Sequence, residues 1–594
     1  MAIPKKIRIG ELLVGHGIIS EDQLQTALST QKKLGTKLGN TLIELGYVTE
    51  NGFLRFLAQQ LKVPFVDLKH YQYSPEAIQL LPEIQARRYR ALVLEEKADG
   101  LLVGMADPTD IYSFDELRNL LKRPINQAVV RETDLMATID TVYRRTDEII
   151  NLAGELDEEL ADGGFDLESL LSDAELEDAP VVRLLRSLFE DAVQIGASDI
   201  HIEPDETVLR IRQRIDGMLH EQVMKEKRIA SALVSRLKLM SGLDISERRL
   251  PQDGRFNIKV RGRSIDVRLS TMPLQHGESV VMRLLDQSGG LLSMEQVGMP
   301  EKLLQRFRSF VRRPHGLLLV TGPTGSGKTT TLYGALNELN RSEKKIITVE
   351  DPVEYRLPRV NQVQIHEKIG LSFAKVLRAA LRQDPDVVMV GEMRDQETAE
   401  IGLRAAMTGH LVLSTLHTND AVSTALRLLD MGAEGFVVGS ALQAILAQRL
   451  VRRICDSCIE DDPLDESMRN WLDKVIGPGS GQQPFKRGSG CHHCHNSGYQ
   501  GRIGVFELLE IDTPLADTLR RGDAAGFAEQ ARRQPGFKTL THAAFDYARG
   551  GITSMEEVLR VAGQVDVGVD LDLLITSFPK SEVNDDGAVF VQSP

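Results

Sequence analysis

The alternation of apolar and polar residues repeats at the start of the chain. The pattern of residues 8–31 returns in residues 37–60, with glycine, leucine, glutamate and glutamine at equivalent positions. Within the first copy, Leu24, Leu28 and Gln31 are spaced i, i+4 and i+7, so they share one face of a helix. Each copy therefore predicts a short helix ended by its second glycine, a turn, and a second helix capped by Ser20 or Thr49.

We name residues 8–60 the doublet, and its pattern permits two interpretations. An apolar helix face is typical of a packing repeat, which would make the doublet a protein-docking module. A basic residue at the start and a glutamine at the end of both copies favour a ligand that is itself two-fold symmetric. Arginine can bind a phosphate or a guanine edge, and apolar side chains can lie against a purine face.

A short apolar run leads into a glycine-rich loop and a helical pattern in residues 316–331. This order of strand, G-x-x-x-x-G-K-T loop and helix predicts a phosphate-binding P-loop. We expect Lys328 to place a cation at the β- and γ-phosphates of ATP and the Thr329 hydroxyl to bind Mg²⁺. The predicted nucleotide-binding residues are Gly322, Pro323, Thr324, Gly325, Ser326, Gly327, Lys328, Thr329 and Thr330.

Carboxylates follow two further apolar strands, where Mg²⁺ and an attacking water would be held beside a P-loop. Glu350 and Glu354 end the first of these strands and Glu392 ends the second. The sequence does not decide which of the three activates water. His410 and His417 flank a third strand; a histidine there can sense a γ-phosphate, although a single histidine is more often structural.

The four cysteines form two C-x-x-C pairs, at Cys455 and Cys458 and at Cys491 and Cys494. Four thiolates at this spacing can close a tetrahedral Zn²⁺ shell, which we favour over redox pairs or free thiols. The residues between the pairs are irregular and would need such a clamp.

The net charge of −14 is concentrated in one stretch. Residues 146–178 hold 13 acidic and no basic residues, which leaves the rest of the chain close to neutral. This stretch predicts a linker with short helices. No apolar run is long enough to span a bilayer and no signal peptide precedes the first domain, so we expect a cytoplasmic protein.

The motifs GPTGSGKTTT, VEDPVEY, GEMRD and TGHLVLSTLHTN resemble the Walker A, Asp, Walker B and His boxes of the secretion-superfamily ATPases. The resemblance covers residues 180–563. It implies an α/β fold: a RecA-like P-loop ATPase core with a preceding α+β lobe, a small helical N-terminal domain and a zinc-binding insert. It further implies a homohexamer acting on an inner-membrane platform protein, with Arg255, Arg268 and Arg283 brought to the nucleotide. The zinc insert favours assembly or export over retraction.

The doublet resembles the cyclic di-GMP-binding MshEN domain of MSHA-type pilus extension ATPases, with Lys37 in place of arginine and Ile9 and Phe53 in place of leucine. VGMADPTD, at residues 103–110, resembles the end of that domain. The ligand contacts that this resemblance implies are Arg8, Ile9, Gly10, Leu24, Leu28, Gln31, Lys37, Leu38, Gly39, Phe53, Leu57, Gln60 and Asp107.

The expected segments are an N-terminal domain (1–145), an acidic linker (146–179), a small α+β lobe (180–290), a RecA-like core (291–563) with the zinc insert (455–494), and a disordered tail (564–594). The predicted function is a hexameric motor ATPase for MSHA-like type IV pilus assembly, regulated by cyclic di-GMP. The alternative is a type II secretion ATPase whose doublet is a docking module. A nucleic-acid motor is disfavoured, because the core has no basic stripe with interleaved aromatics and aromatic content is 5%.

Overall fold

The computed structural model describes residues 9–34, 38–71, 73–97, 99–143, 146–161, 179–286, 293–494 and 496–565. The predicted tail lies outside these residues from position 566 onward, and so does the second half of the predicted linker. Contacts divide the chain into two compact units. The first holds residues 1–215, 219–252 and 270–281, and the second holds residues 216–218, 253–269 and 282–594.

The doublet forms two helix pairs, as its pattern predicts. They are α1 (Ile9–Gly15) with α2 (Glu21–Leu34), and α3 (Leu38–Glu44) with α4 (Glu50–Leu61). Ser20 Oγ accepts the Gln23 N–H at 3.2 Å, and Thr49 Oγ1 accepts the Gly52 N–H at 3.2 Å. These bonds satisfy helix N-termini, so the predicted caps are confirmed.

The rest of the N-terminal domain contains a small sheet that the sequence analysis did not predict. The strands β1 and β2 are antiparallel, β2 and β3 are parallel, and helices pack against them. Their apolar runs are too short for periodicity to separate strand from helix. The elements are α5 (Pro75–Gln79), α6 (Glu83–Tyr89), β1 (Ala91–Lys97), β2 (Gly100–Met105), α7 (Ile111–Leu121), β3 (Ile125–Val129) and α8 (Glu132–Val142).

The first half of the predicted linker is a helix with a buried face. Helix α9 (Thr146–Ala161) buries Ile149, Leu152 and Leu156. It packs against α10 (Pro180–Gln194), with which it also forms an Arg183–Glu155 ion pair of 2.6 Å. Apolar residues spaced three and four apart stabilise this helix despite the high acidic content, which is what the charge-based interpretation missed.

The predicted α+β lobe has a six-stranded sheet in the order β6-β5-β4-β9-β8-β7. Along β4 and β5, buried and less buried residues alternate, as expected for strands with one covered face. The elements are β4 (Asp199–Pro204), β5 (Leu209–Ile215), β6 (Met218–Met224), α11 (Ile229–Met240), β7 (Gln252–Val260), β8 (Arg263–Leu274) and β9 (Gly277–Asp286).

The ATPase core is a seven-stranded sheet in the order β12-β11-β13-β14-β10-β15-β18, parallel except for the β15–β18 pair. Two buried apolar clusters lie against it. The α/β class is therefore confirmed. The elements are α12 (Glu301–Val311), β10 (Gly316–Thr321), α13 (Lys328–Leu339), β11 (Ile346–Glu350), β12 (Asn361–Gln364), α14 (Phe373–Ala380), β13 (Val387–Val390), α15 (Gln396–Met407), β14 (Leu411–Leu416), α16 (Ala421–Asp430), α17 (Gly435–Ala441), β15 (Leu442–Ile454) and β18 (Tyr499–Glu510).

A small subdomain that includes the cysteine pairs, and four helices after it, complete the described chain. The antiparallel strand pair of this subdomain, β16–β17, lies between the two cysteine pairs in sequence. Within the described residues, no helix combines the length and apolar character needed to cross a membrane. The elements are β16 (Ile459–Asp461), α18 (Glu466–Val475), β17 (Lys486–Gly488), α19 (Thr513–Arg520), α20 (Ala524–Arg533), α21 (Leu540–Arg549) and α22 (Met555–Val565).

Candidate active site and binding sites

The P-loop connects the end of β10 to the start of α13 and contains all nine predicted nucleotide-binding residues. A Cβ on Gly322 would lie 2.4 Å from the Gln448 carbonyl oxygen, and its φ is +147°. A Cβ on Gly327 would lie 2.7 Å from Gln448 Nε2, and its φ is +87°. Only glycine fits at these two positions, because both the backbone angle and the approach of β15 exclude a side chain.

Lys328 lies folded into this loop. Its Nζ donates to the carbonyl oxygens of Gly322 at 2.9 Å and Pro323 at 3.0 Å. Burial lowers its pKa to about 8. Ser326 Oγ is buried without a partner among the described residues, and Thr329 is exposed at the start of α13. An ammonium group held only by carbonyls, an orphaned hydroxyl and a helix N-terminus suit a phosphate with Mg²⁺.

Glu392 and His417 lie at the edge of the sheet that carries the P-loop. The parallel register pairs Thr321 with Leu416 and Val390 with Ser414, so the three strands end together. His417 Nε2 is 3.3 Å from Glu392 Oε2. The structure thus brings together two of the predicted catalytic residues.

The protonation of this pair is set by its neighbours. Burial acts to raise the pKa of Glu392, but Arg394 and His417 outweigh it and hold that pKa below its ordinary value. Burial and the positive charge of Lys328 lower the pKa of His417. A carboxylate and a neutral imidazole therefore face the P-loop lysine near neutral pH.

Glu350 and Glu354 have different surroundings. Glu350 is buried and accepts hydrogen bonds from three side chains, those of Tyr333, Thr348 and Gln362. Its pKa is raised, because burial outweighs these donors. Glu354 forms a 2.6 Å ion pair with Arg268. Glu350 consequently holds neighbouring side chains together inside the core, whereas Glu354 is paired with Arg268.

The three predicted arginines occupy separate places. Arg255 donates to the fully buried Asp266 at 2.7 Å, and Arg268 holds Glu354. Arg283 is exposed on β9. Their predicted role at the nucleotide remains a prediction, because this single chain pairs Arg255 and Arg268 with carboxylates.

His410 is not at the P-loop edge. It precedes β14, where its carbonyl oxygen accepts the N–H of Gly316, the first residue of β10. Its Nδ1 lies 3.0 Å from the Ala405 carbonyl oxygen. A six-residue strand separates this edge from the P-loop, which amounts to roughly 20 Å. His410 and His417 thus lie at opposite ends of one strand, as the sequence predicts, and a catalytic role for His410 stays a prediction.

Sequence reasoning missed Gln448 and Arg449 on β15. Gln448 Oε1 accepts the Thr331 hydroxyl at 2.7 Å, and the Arg449 guanidinium lies behind Gly322. Both residues are buried. The available signal was a glutamine–arginine pair with apolar residues on both sides, 444–447 and 450–451, since such groups are rarely buried without a partner.

The four cysteines converge on one point. All four sulfurs lie within 4.8 Å of one another. The Sγ–Sγ distance is 3.8 Å for Cys455–Cys491, 3.8 Å for Cys458–Cys494 and 3.7 Å for Cys491–Cys494. A tetrahedron with Zn–S bonds of about 2.3 Å has edges of about 3.8 Å. The cluster therefore fits Zn²⁺, and no disulfide joins these cysteines.

The doublet packs its helix pairs through its glycines. A Cβ on Gly10 would lie 2.6 Å from Leu24 Cδ1, and one on Gly39 would lie 2.6 Å from the Phe53 ring. These two glycines therefore serve packing. Leu24 and Leu57 are buried, whereas the remaining apolar and amide candidates are half-buried, namely Leu28, Leu38, Phe53, Gln31 and Gln60.

The other predicted ligand contacts are more dispersed. Arg8 and Lys37 lie outside the described residues, and Ile9 begins α1. Asp107 Oδ1 accepts the backbone N–H of Thr109 at 3.0 Å in the turn before α7. The structure thus places Leu24, Leu28, Leu38 and Phe53 in one apolar cluster and does not describe the two basic candidates.

A glycine-rich loop on a parallel sheet, with Lys328, Glu392 and His417 at one edge, defines a P-loop nucleotide hydrolase. The family model described as Type II/IV secretion system protein matches residues 174–560, more than half of the chain. The chain therefore belongs to the Type II/IV secretion system protein family, and it is an ATPase.

Two curated relatives match over nearly the whole chain. The type IV pilus assembly ATPase PilB of Myxococcus xanthus is 41% identical over 93% of this chain and 98% of that protein. The type II secretion system protein E of Xanthomonas campestris is 39% identical over 93% of this chain and 98% of that protein. The chain is thus similar to proteins of both systems.

The N-terminal region also has a match. An MshEN domain model matches residues 61–149, which follow the doublet and include Asp107. A solved structure of MshE with cdg covers 23% of this chain and 100% of that chain, at 42% identity and a TM-score of 0.23. The family match confirms an MshEN domain over residues 61–149, with the doublet ahead of the matched residues.

Proposed function

We propose that the chain is the motor ATPase of a type IV pilus of the MSHA kind. It works as a cytoplasmic homohexamer on an inner-membrane platform protein. Its doublet binds cyclic di-GMP, and it binds no nucleic acid. The observation that carries the proposal is the meeting of Lys328, Glu392 and His417 at one edge of the sheet. An MshEN domain ahead of that core supports regulation by cyclic di-GMP, and the similarity to a type IV pilus assembly ATPase over 93% of this chain supports the pilus assignment.

Each residue at the P-loop edge has a distinct part in hydrolysis. Lys328 exchanges the loop carbonyls for the β- and γ-phosphates of ATP. Glu392, held ionised by Arg394, orients the attacking water and accepts its proton. His417 is neutral and donates a hydrogen bond to the γ-phosphate. Thr329 would hold Mg²⁺, and the bound ion would supply positive charge for the transferred phosphoryl group.

Two glutamine substitutions test the assignment of the carboxylates. Glu392→Gln should lower kcat by about 10²–10⁴-fold while ATP still binds, because a general base is lost. Glu350→Gln should retain hydrolysis, because that carboxylate only accepts internal donors. Lys328→Ala should abolish turnover. Steady-state hydrolysis and nucleotide binding by the purified hexamer measure all three variants, and normal turnover of Glu392→Gln would reassign the base.

Cyclic di-GMP binding is tested on the full chain by calorimetry. Gln60→Ala should weaken binding, whereas Gln59→Ala, an exposed neighbour on the same helix, should not. Arg8→Ala should weaken it more than Lys37→Ala, since only arginine makes paired hydrogen bonds. Loss of a charge-assisted bond costs roughly 1.5–3 kcal/mol, or about ten- to a hundredfold. No heat at tens of micromolar ligand would leave the doublet as a docking module.

The system served is tested in cells. A host strain carrying Lys328→Ala should lose surface pili and keep its secreted proteins. Loss of secretion with normal piliation would make the chain a type II secretion ATPase.

A further inference from the structure

The Arg449 side chain links two segments of the active site. It lies on β15 and is 3% exposed. Its Nη2 donates to the Asn419 carbonyl oxygen at 2.7 Å, and its Nη1 donates to the Gln448 carbonyl oxygen at 3.2 Å. The same Nη1 lies 3.1 Å from the position that a Cβ on Gly322 would occupy. The guanidinium therefore lies between the first glycine of the P-loop and the turn after His417.

A buried cation in this place is costly without compensating groups. The burial lowers the pKa of Arg449, and Glu507 and Asp420 oppose that effect. Glu507 is itself fixed, since its two oxygens accept the N–H groups of Ala421 at 2.8 Å and Leu540 at 3.0 Å. Arg449 Nε has no acceptor among the described residues.

The contacts of Arg449 involve two segments that carry active-site residues. Asn419 follows His417 by two residues in the turn that leads into α16. Gly322 opens the loop whose carbonyls hold Lys328. The planar fork thus bonds the segment that carries the histidine to β15, and its guanidinium packs against the glycine that opens the loop of the lysine. A lysine at this position has one point charge and cannot reproduce the fork.

We propose that Arg449 is a positioning residue for ATP hydrolysis, which holds the His417 turn against the P-loop so that His417 and Lys328 meet at one phosphate. The proposal rests on the function assigned to Lys328, Glu392 and His417. Arg449 itself does not touch the phosphates. It acts through His417, so its loss should affect turnover more than nucleotide affinity.

The test measures hydrolysis and ATP binding by the full-length hexamer. Arg449→Lys should lower kcat about ten- to a hundredfold, with KM and ATP affinity within about threefold of the wild type. Arg453→Gln is the matched control, because Arg453 is an exposed arginine on the same strand and should leave kcat unchanged. Arg449→Met provides a second variant, because it removes the buried charge and keeps much of the side-chain length.

A double-mutant cycle separates positioning from general destabilisation. If Arg449 acts through His417, then His417→Ala combined with Arg449→Lys should be no slower than the slower single variant. Additive losses, or a raised KM with normal kcat, would overturn the proposal. Normal turnover by Glu392→Gln would refute the assigned site instead. Lost turnover in Glu392→Gln with normal Arg449→Lys would refute only the positioning role.

Discussion

Replacing one cysteine of the four-sulfur cluster should release zinc without disturbing the core. Cys458 and Cys491 are half-buried, whereas Cys455 and Cys494 are buried, and we choose Cys458 of the first two. A serine at position 458 can meet water, so it leaves no buried hydroxyl unpaired. The substitution Cys458→Ser therefore separates loss of a metal ligand from loss of packing.

The size of the effect follows from the geometry of the cluster. The three measured sulfur separations, 3.7 to 3.8 Å, match the edges of a Zn–thiolate tetrahedron, so little rearrangement is needed on binding. Structural zinc in small peptides contributes about 10–16 kcal/mol through four ligands. An equal share for one ligand is about 3 kcal/mol, which corresponds to roughly a hundredfold in zinc affinity.

Competition with a chromophoric chelator measures this affinity, with elemental analysis for stoichiometry. We expect about one zinc per chain in protein purified without chelator. We also expect Cys458→Ser to release zinc at a roughly hundredfold lower chelator concentration. Asp456→Asn, an exposed substitution between the same two cysteines, is the control and should retain zinc. Less than half a mole of zinc per chain, or equal retention by Cys458→Ser, would refute the reasoning.

Three further predictions concern stability. Burial raises the pKa of Glu507 to about 7. The folded protein therefore holds this proton more tightly than the unfolded chain does. The resulting contribution to folding stability is complete below about pH 4.5 and is lost as pH rises through 7. Between pH 5.5 and 8, the thermal midpoint should fall more steeply in the wild type than in Glu507→Gln, and parallel profiles would contradict this. Gly154→Ala should stabilise α9 by about 1 kcal/mol, because its Cβ meets nothing within 4 Å. Gly39→Ala should destabilise by about 1–3 kcal/mol, because its Cβ presses on Phe53; calorimetric midpoints in the reverse order would show that the packing argument fails.

Local motifs made much of the fold and site predictable. The P-loop, the cysteine pairs and the helix caps each depend on residues close in sequence, so spacing alone placed them. Parallel strands also placed Glu392 and His417 at one edge. The sequence placed His410 and His417 at opposite ends of β14, but only the structure shows that the His417 end is the one beside the P-loop.

The remaining features depend on contacts between distant segments. Arg449 is buried against Gly322 and Asn419, and no local spacing connects these three residues. The acidic stretch concealed the buried face of α9, because charge dominated its composition. The sheet of the N-terminal domain pairs short apolar runs whose periodicity alone is ambiguous.

The position of β10 in its sheet has a consequence for the synthesis of the chain. This strand is built of residues 316–321, yet its two neighbours are β14 and β15, which end at residues 416 and 454. Translation at about 5–20 residues per second leaves β10 without its partners for on the order of ten seconds. During that interval the strand, which is apolar up to Thr321, presents two unpaired edges. Until β14 and β15 are made, the nascent P-loop strand is therefore open to pairing with strands of other chains.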